Sequence, residues 1–130
     1  MAINYLWDTN IVIYYLQQQF PANGEKFMDK INVLNQPCLS VITEIELLCW
    51  KTNNEKDLLI INQFIDDALV LDIDKNIKLK TVNLRKKYKI KLPDAIIAAT
   101  ALVYDYTLIT NNEKDFIAID NLKIINPHKI

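Results

Sequence analysis

Three acidic residues stand close behind short apolar runs. Asp8 directly follows INYLW, Asp115 follows TLI after a few polar residues, and Glu46 sits near the start of the segment after CLS. Asp94, in LPDAIIAATALVY, opens an Ala-rich stretch and is a fourth candidate. Carboxylates gathered in one place repel one another and raise each other's pKa, unless a divalent cation offsets the charge. Such a cluster therefore implies metal. Oxygen donors without His or Cys favour hard ions such as Mg²⁺ or Mn²⁺, which keep waters and contact phosphate oxygens. That chemistry suits phosphodiester hydrolysis.

Each acid also has a purely structural explanation. Asp8 can cap a helix beginning near Asn10, and Asp94 one beginning near Ala95. Glu46 can be the reciprocal partner of Thr43 in a capping box, and Asp115 an ordinary loop acid. Spacing alone leaves these alternatives open.

The rest of the sequence narrows the chemistry by exclusion. His128 is the sole histidine and lies in a C-terminal segment expected to fray, which argues against catalysis by Ser/His or Cys/His. Gly24 is the only glycine, so there is no glycine-rich loop to cradle a nucleotide phosphate. Cys38 and Cys49 occupy apolar contexts and read as buried free thiols, and two Cys with one His do not make a zinc site. The net charge of −1 gives no broad attraction to nucleic acid. A local basic tract does run from Lys78 to Lys91; within it Arg85, Lys86, Lys87, Lys89 and Lys91 are candidate phosphate contacts, with a solvated helix face as the alternative.

The acids need a scaffold that brings distant segments together. Residues 3–7 read as a strand, followed by the helical stretch IVIYYLQQQF up to Pro21. A helix over 22–34, a strand at 38–40 and a third helix from VITEIELL come next. The pattern continues with a helix over 55–67, a strand over 69–73 and a helix over 74–87. Pro93 helps start the Ala-rich helix; a strand at 107–109, a loop TNNEKDF and a last strand over 122–125 complete the chain. Helices alternating with short apolar strands predict an α/β fold, a short parallel sheet flanked by helices on both faces. At 130 residues one domain spanning 1–130 is expected. No stretch approaches the roughly 18 apolar residues of a membrane span, and the N-terminus lacks a secretory signal, so a cytoplasmic location with no membrane association is expected.

Taken in order, DTNIVIYYL, SVITEIELL, LPDAIIAATAL and TNNEKDF resemble the four motifs of PIN-domain ribonucleases, and within them the VapC-type toxins of toxin-antitoxin pairs. The resemblance spans nearly the whole chain. It implies that Asp8, Glu46, Asp94 and Asp115 hold Mg²⁺ or Mn²⁺, with Thr9, Thr110 and Asn112 in support and Asn112 an alternative oxygen donor to Asp115. The family pattern S-x-I-T-x-x-E-L falls on Ser40, Ile42, Thr43, Glu46 and Leu47, selecting Glu46 over Glu44. One departure is Cys49-Trp50, where the family often has a small residue. The resemblance further implies an RNA substrate, a cognate antitoxin that lays a helix and an extended tail across the acidic site, and a homodimer. Two other classes stay open. A haloacid-dehalogenase-like phosphohydrolase also begins with a strand and an Asp but needs a second Asp where Asn10 stands, and a non-catalytic RNA- or protein-binding module needs no turnover.

Overall fold

Alternate residues of a strand face opposite sides of its sheet, and in the computed structural model, which describes residues 4–130, both sides are apolar. Five strands, β1 (Tyr5–Trp7), β2 (Cys38–Ser40), β3 (Leu69–Leu71), β4 (Thr107–Ile109) and β5 (Ile124–Ile125), pair in parallel in the order β3-β2-β1-β4-β5. Leu6, Cys38, Leu71 and Leu108 point to one core, shared with α5 (Lys75–Lys87) and α6 (Leu92–Tyr104). Trp7, Leu39 and Ile109 point to the other, shared with α1 (Thr9–Leu16), α2 (Ala22–Leu34), α3 (Val41–Leu48) and α4 (Glu55–Asp67). The parallel sheet covered on both faces is as the alternation of elements predicts.

α6 is the innermost helix. Ala95, Ala98, Ala99 and Ala101 are fully buried, and their small side chains let α6 lie close to both the sheet and α5. The buried hydroxyls of Thr81 and Thr100 donate to the carbonyls of Ile77 and Ile96, so neither is left unpaired.

Several boundaries differ from those expected, each for a local reason. The first strand begins at Tyr5, and Ile3 lies outside the described residues. α6 starts at Leu92, because Pro93 lacks an N–H and fits the first turn; Lys91 is its N-cap, so Asp94 lies inside the helix and does not cap it. The Thr43–Glu46 capping box is absent: Ser40 reaches the helix start first and accepts from the Ile42 N–H, leaving Thr43 buried inside α3. TNNEKDF is not all loop, since Glu113–Phe116 form the short helix α7 with Phe116 buried. The strands expected over 69–73 and 122–125 are each shorter, and Cys49, at the end of α3, is exposed whereas Cys38 is buried. Trp50 packs on the second core.

The C-terminal turn Pro127–Lys129, expected to fray, is packed onto the fold. The His128 ring lies edge-on to Tyr14 and Phe20, at 4.9 and 5.1 Å between centroids, and Pro127 is buried against α2. The sole glycine is explained here, because a Cβ on Gly24 would stand 2.1 Å from the Pro127 carbonyl oxygen.

Candidate active site

In an open parallel sheet, ligands collect at the carboxyl ends of the strands, where the strand order reverses. Here β1 is the reversal point, with β2 and β4 on either side. Asp8 follows β1 and Thr110 follows β4, so the two meet across that seam. The Asp8 N–H donates to the Ile109 carbonyl at 3.0 Å, and the Thr110 hydroxyl donates to Asp8 Oδ2 at 2.8 Å. The other carboxylate oxygen, Oδ1, accepts from the Thr9 N–H at 2.9 Å. Asp8 therefore caps α1, as its position allowed, and also presents a carboxylate at the sheet edge.

Asp8 is only 6% exposed. Burial pushes its pKa from 3.8 up to about 6; hydrogen bonds from Thr110 and Thr9 pull it down, and the charges of Asp94 and Glu46 push it up further. Asp94 is also raised, first by burial and then by Asp115 and Glu46, with Lys91 opposing. Glu46 and Asp94 thus act on Asp8, and Asp115 and Glu46 on Asp94, although the four come from separate segments.

Thr9 links two of those segments. Its hydroxyl is 2.6 Å from Glu46 Oε1, to which it donates, and 3.1 Å from the Thr43 hydroxyl. Glu46 is exposed at the surface of α3, and among the described residues it is Glu46, not Glu44, that bonds to the Asp8 end of the sheet. The Asn112 side-chain N–H donates to Asp115 Oδ2 at 2.8 Å, and the Asn112 backbone N–H donates to the Thr110 hydroxyl at 3.0 Å. Every acid singled out in the sequence reaches this edge, with Thr9, Thr110 and Asn112 beside them. Sequence reasoning gave Thr43 only a capping role; its place in the S-x-I-T-x-x-E-L pattern was the signal that it belongs with the site. Lys114, which lines a cleft together with Asp115, was passed over for want of any signal beyond its charge.

Among the described residues, no group of three or more His, Cys, Asp or Glu side chains is arranged to hold an ion as it stands. Asp8 is turned to Thr9 and Thr110, and Asp115 to Asn112. The donor chemistry nevertheless fits a hard cation: it is all oxygen, Glu46 and Asp115 are exposed, and like charge from neighbouring acids adds to the burial that chiefly raises Asp8 and Asp94. The second Asp of a haloacid-dehalogenase site is missing, since Asn10 stands there and is exposed.

A family model, the PIN domain, matches residues 5–122. Similar solved structures include a DNA-bound VapBC from Salmonella typhimurium (25% identical, covering 97% of this chain and 99% of that one, TM-score 0.79). A toxin-antitoxin complex from Klebsiella pneumoniae is 30% identical, with 98% and 100% covered and a TM-score of 0.75. VapBC-1 from nontypeable Haemophilus influenzae is 27% identical, with 96% and 98% covered and a TM-score of 0.78. No curated protein matches. With the matched region taking in all four acids and both sides of the β1/β4 seam, the chain belongs to the PIN-domain family of nucleases, as a member of VapC type.

Proposed function

We propose that this chain is a metal-dependent endoribonuclease and the toxin of a toxin-antitoxin pair. The observation that carries the reading is the gathering of Asp8, Glu46, Asp94 and Asp115 at the carboxyl edge of the sheet into one field of negative charge that bears on the half-buried Asp94 and the buried Asp8. Mg²⁺ or Mn²⁺ bound there would neutralise that field, lower the pKa of a water for attack on the phosphate, and stabilise the leaving oxygen. The chain's own part is positioning. Thr9 and Thr110 fix the Asp8 carboxylate from both sides, Thr9 orients Glu46, and Asn112 orients Asp115. Second partners of this kind typically govern metal affinity and activity by roughly 10- to 100-fold.

The antitoxin reading is supported by the solved relatives being toxin-antitoxin complexes. An antitoxin helix has an apolar seat available where Leu59 and Ile60 of α4 line an open groove with Leu16 and Phe64. A homodimer is proposed on the family resemblance, and a cytoplasmic place of work on the RNA substrate. No helix among the described residues is long and apolar enough to cross a membrane.

The test is cleavage of a mixed cellular RNA pool by purified protein with Mg²⁺, with Mn²⁺ and with EDTA, beside Asp94→Asn. Cutting that needs metal and disappears in the variant is the expected result. Equal behaviour of wild type and variant would leave a binding module as the better reading.

A further inference from the structure

Basic side chains are spread unevenly around the acids. Arg85 near the end of α5, Lys89 and Lys91 in the segment between α5 and α6, and Lys114 in α7 line one cleft together with Ile90 and Asp115. The cleft measures about 550 Å³, within the roughly 300–1,000 Å³ of ligand sites. It meets the acids at Asp115, which forms part of its wall, and its Lys91 is near enough to Asp94 to oppose the rise in that residue's pKa.

The basic tract legible in the sequence is divided by the fold. Lys87 faces elsewhere: it pairs with Asp120 at 3.0 Å, lies over the Tyr88 ring, and lines a separate, smaller depression. The Arg85 guanidinium donates to the Ile90 carbonyl and so braces the connection between α5 and α6. Among the described residues, Lys89, Lys91 and Lys114 form no ion pair, as is true of most lysines here, and what sets them apart is their convergence on one cleft. In a chain of net charge −1, cations that stay unpaired around one cleft repel one another and favour an anionic occupant. The position of the cleft, against a site that cuts a phosphodiester, identifies the anion.

We infer that this cleft seats the phosphates of the RNA strand flanking the bond to be cut, with Lys89 and Lys114 as the main contacts, Lys91 leading toward the acids, and Arg85 as a positioning residue. The inference rests on the ribonuclease reading and adds a direction to it: the strand runs from the acids toward the α5–α6 connection. Lysine suits the task, as a flexible point charge that holds phosphate without reading a base.

The test measures binding of a short fluorescent mixed-sequence oligoribonucleotide by anisotropy, in EDTA, across a range of salt. Lys89→Gln with Lys114→Gln should weaken binding roughly tenfold or more at low salt, and flatten the plot of log affinity against log salt by about 0.7 for each phosphate no longer neutralised. With metal restored, KM should rise and kcat at saturating RNA should stay near wild type. Lys87→Gln should bind as wild type. Unchanged affinity and salt slope in the double variant, an equal loss in Lys87→Gln, or no RNA binding at all would each overturn the inference. Displacement of the RNA by polyglutamate at equal charge would assign the cleft to an acidic protein tail and also overturn it. Binding through the cleft without metal-dependent cutting would sink the ribonuclease reading alone, and metal-dependent cutting with an indifferent double variant would sink the cleft alone.

Discussion

Thr110 donates its hydroxyl to Asp8 Oδ2 at 2.8 Å, joining the ends of β1 and β4 across 102 positions of sequence. The same hydroxyl oxygen accepts from the Asn112 N–H, so one side chain orders both the buried acid and the segment leading to Asp115. Thr110→Val keeps the shape and removes both bonds. It should lift the Asp8 pKa above about 6, cost about 1–3 kcal/mol of stability, and lower activity roughly 10- to 100-fold. Denaturant melts and the pH profile of cleavage read the two effects separately.

Asp8 makes the metal-free protein sensitive to pH in an unusual direction. Its folded pKa of about 6 lies above the ordinary value of 3.8, so the folded state binds the proton more tightly than the unfolded chain. Stability from this group is therefore fully present below about pH 4, is lost as pH rises to about 6, and then levels off, a span of roughly 3 kcal/mol. Asp94, also raised, acts in the same sense. Asp8→Asn should abolish most of this slope and make the metal-free protein more stable near neutral pH while eliminating cleavage. Urea melts of both proteins in EDTA from about pH 4 to about pH 8 check it; identical slopes would refute it.

Metal should reverse that cost. Under the proposed function Mg²⁺ or Mn²⁺ would bind the ionised carboxylates, so it should raise Tm clearly at about pH 7.5 and much less at about pH 5, where protons compete. Differential scanning fluorimetry with and without EDTA measures this. In Asp94→Asn the rise should shrink at both values.

Thr9 orients Glu46 through its hydroxyl at 2.6 Å. Thr9→Val should reduce cleavage by about tenfold or more with stability changed by less than about 1 kcal/mol, because the bond is exposed to solvent. Thr9→Ser should restore most of the activity. Failure of Ser to rescue would show that the hydroxyl alone does not account for the loss.

Gly24→Ala should destabilise the fold even though alanine favours helix by about 1 kcal/mol. The added Cβ would meet the Pro127 carbonyl oxygen at 2.1 Å, and this overpacking costs about 1–3 kcal/mol or more. In a chain ending at Asn126 the same substitution should become stabilising. Thermal melts of the four combinations test that change of sign.

Much of the fold was legible because its signals are local. Three-residue apolar strands such as CLS and TLI declare themselves, as do the helices with alternating faces; three of the acids were marked by standing close behind strands and Asp94 by the Ala-rich helix it opens. The errors came from competition between neighbouring residues for one job. Ser40 outcompeted Thr43 as a cap, and Pro93 in the first turn moved the start of α6 ahead of Asp94. What the sequence concealed was long-range: the pairing of Lys87 with Asp120, 33 positions away, which removes one cation from the basic tract, and the close approach of Gly24 to Pro127 that holds the C-terminal turn. Neither leaves a pattern in its own neighbourhood.

The seam between β1 and β4 also sets the timing of activity during synthesis. Asp8 is made 102 positions before its partner Thr110, with the fourth acid, Asp115, later still, and β4 must insert beside β1 before they meet. Pairing so distant in sequence forms late in folding, and chains emerge from the N-terminus at roughly 5–20 residues per second. A ribosome making this protein therefore carries no assembled acid cluster until β4 and Asp115 have both emerged.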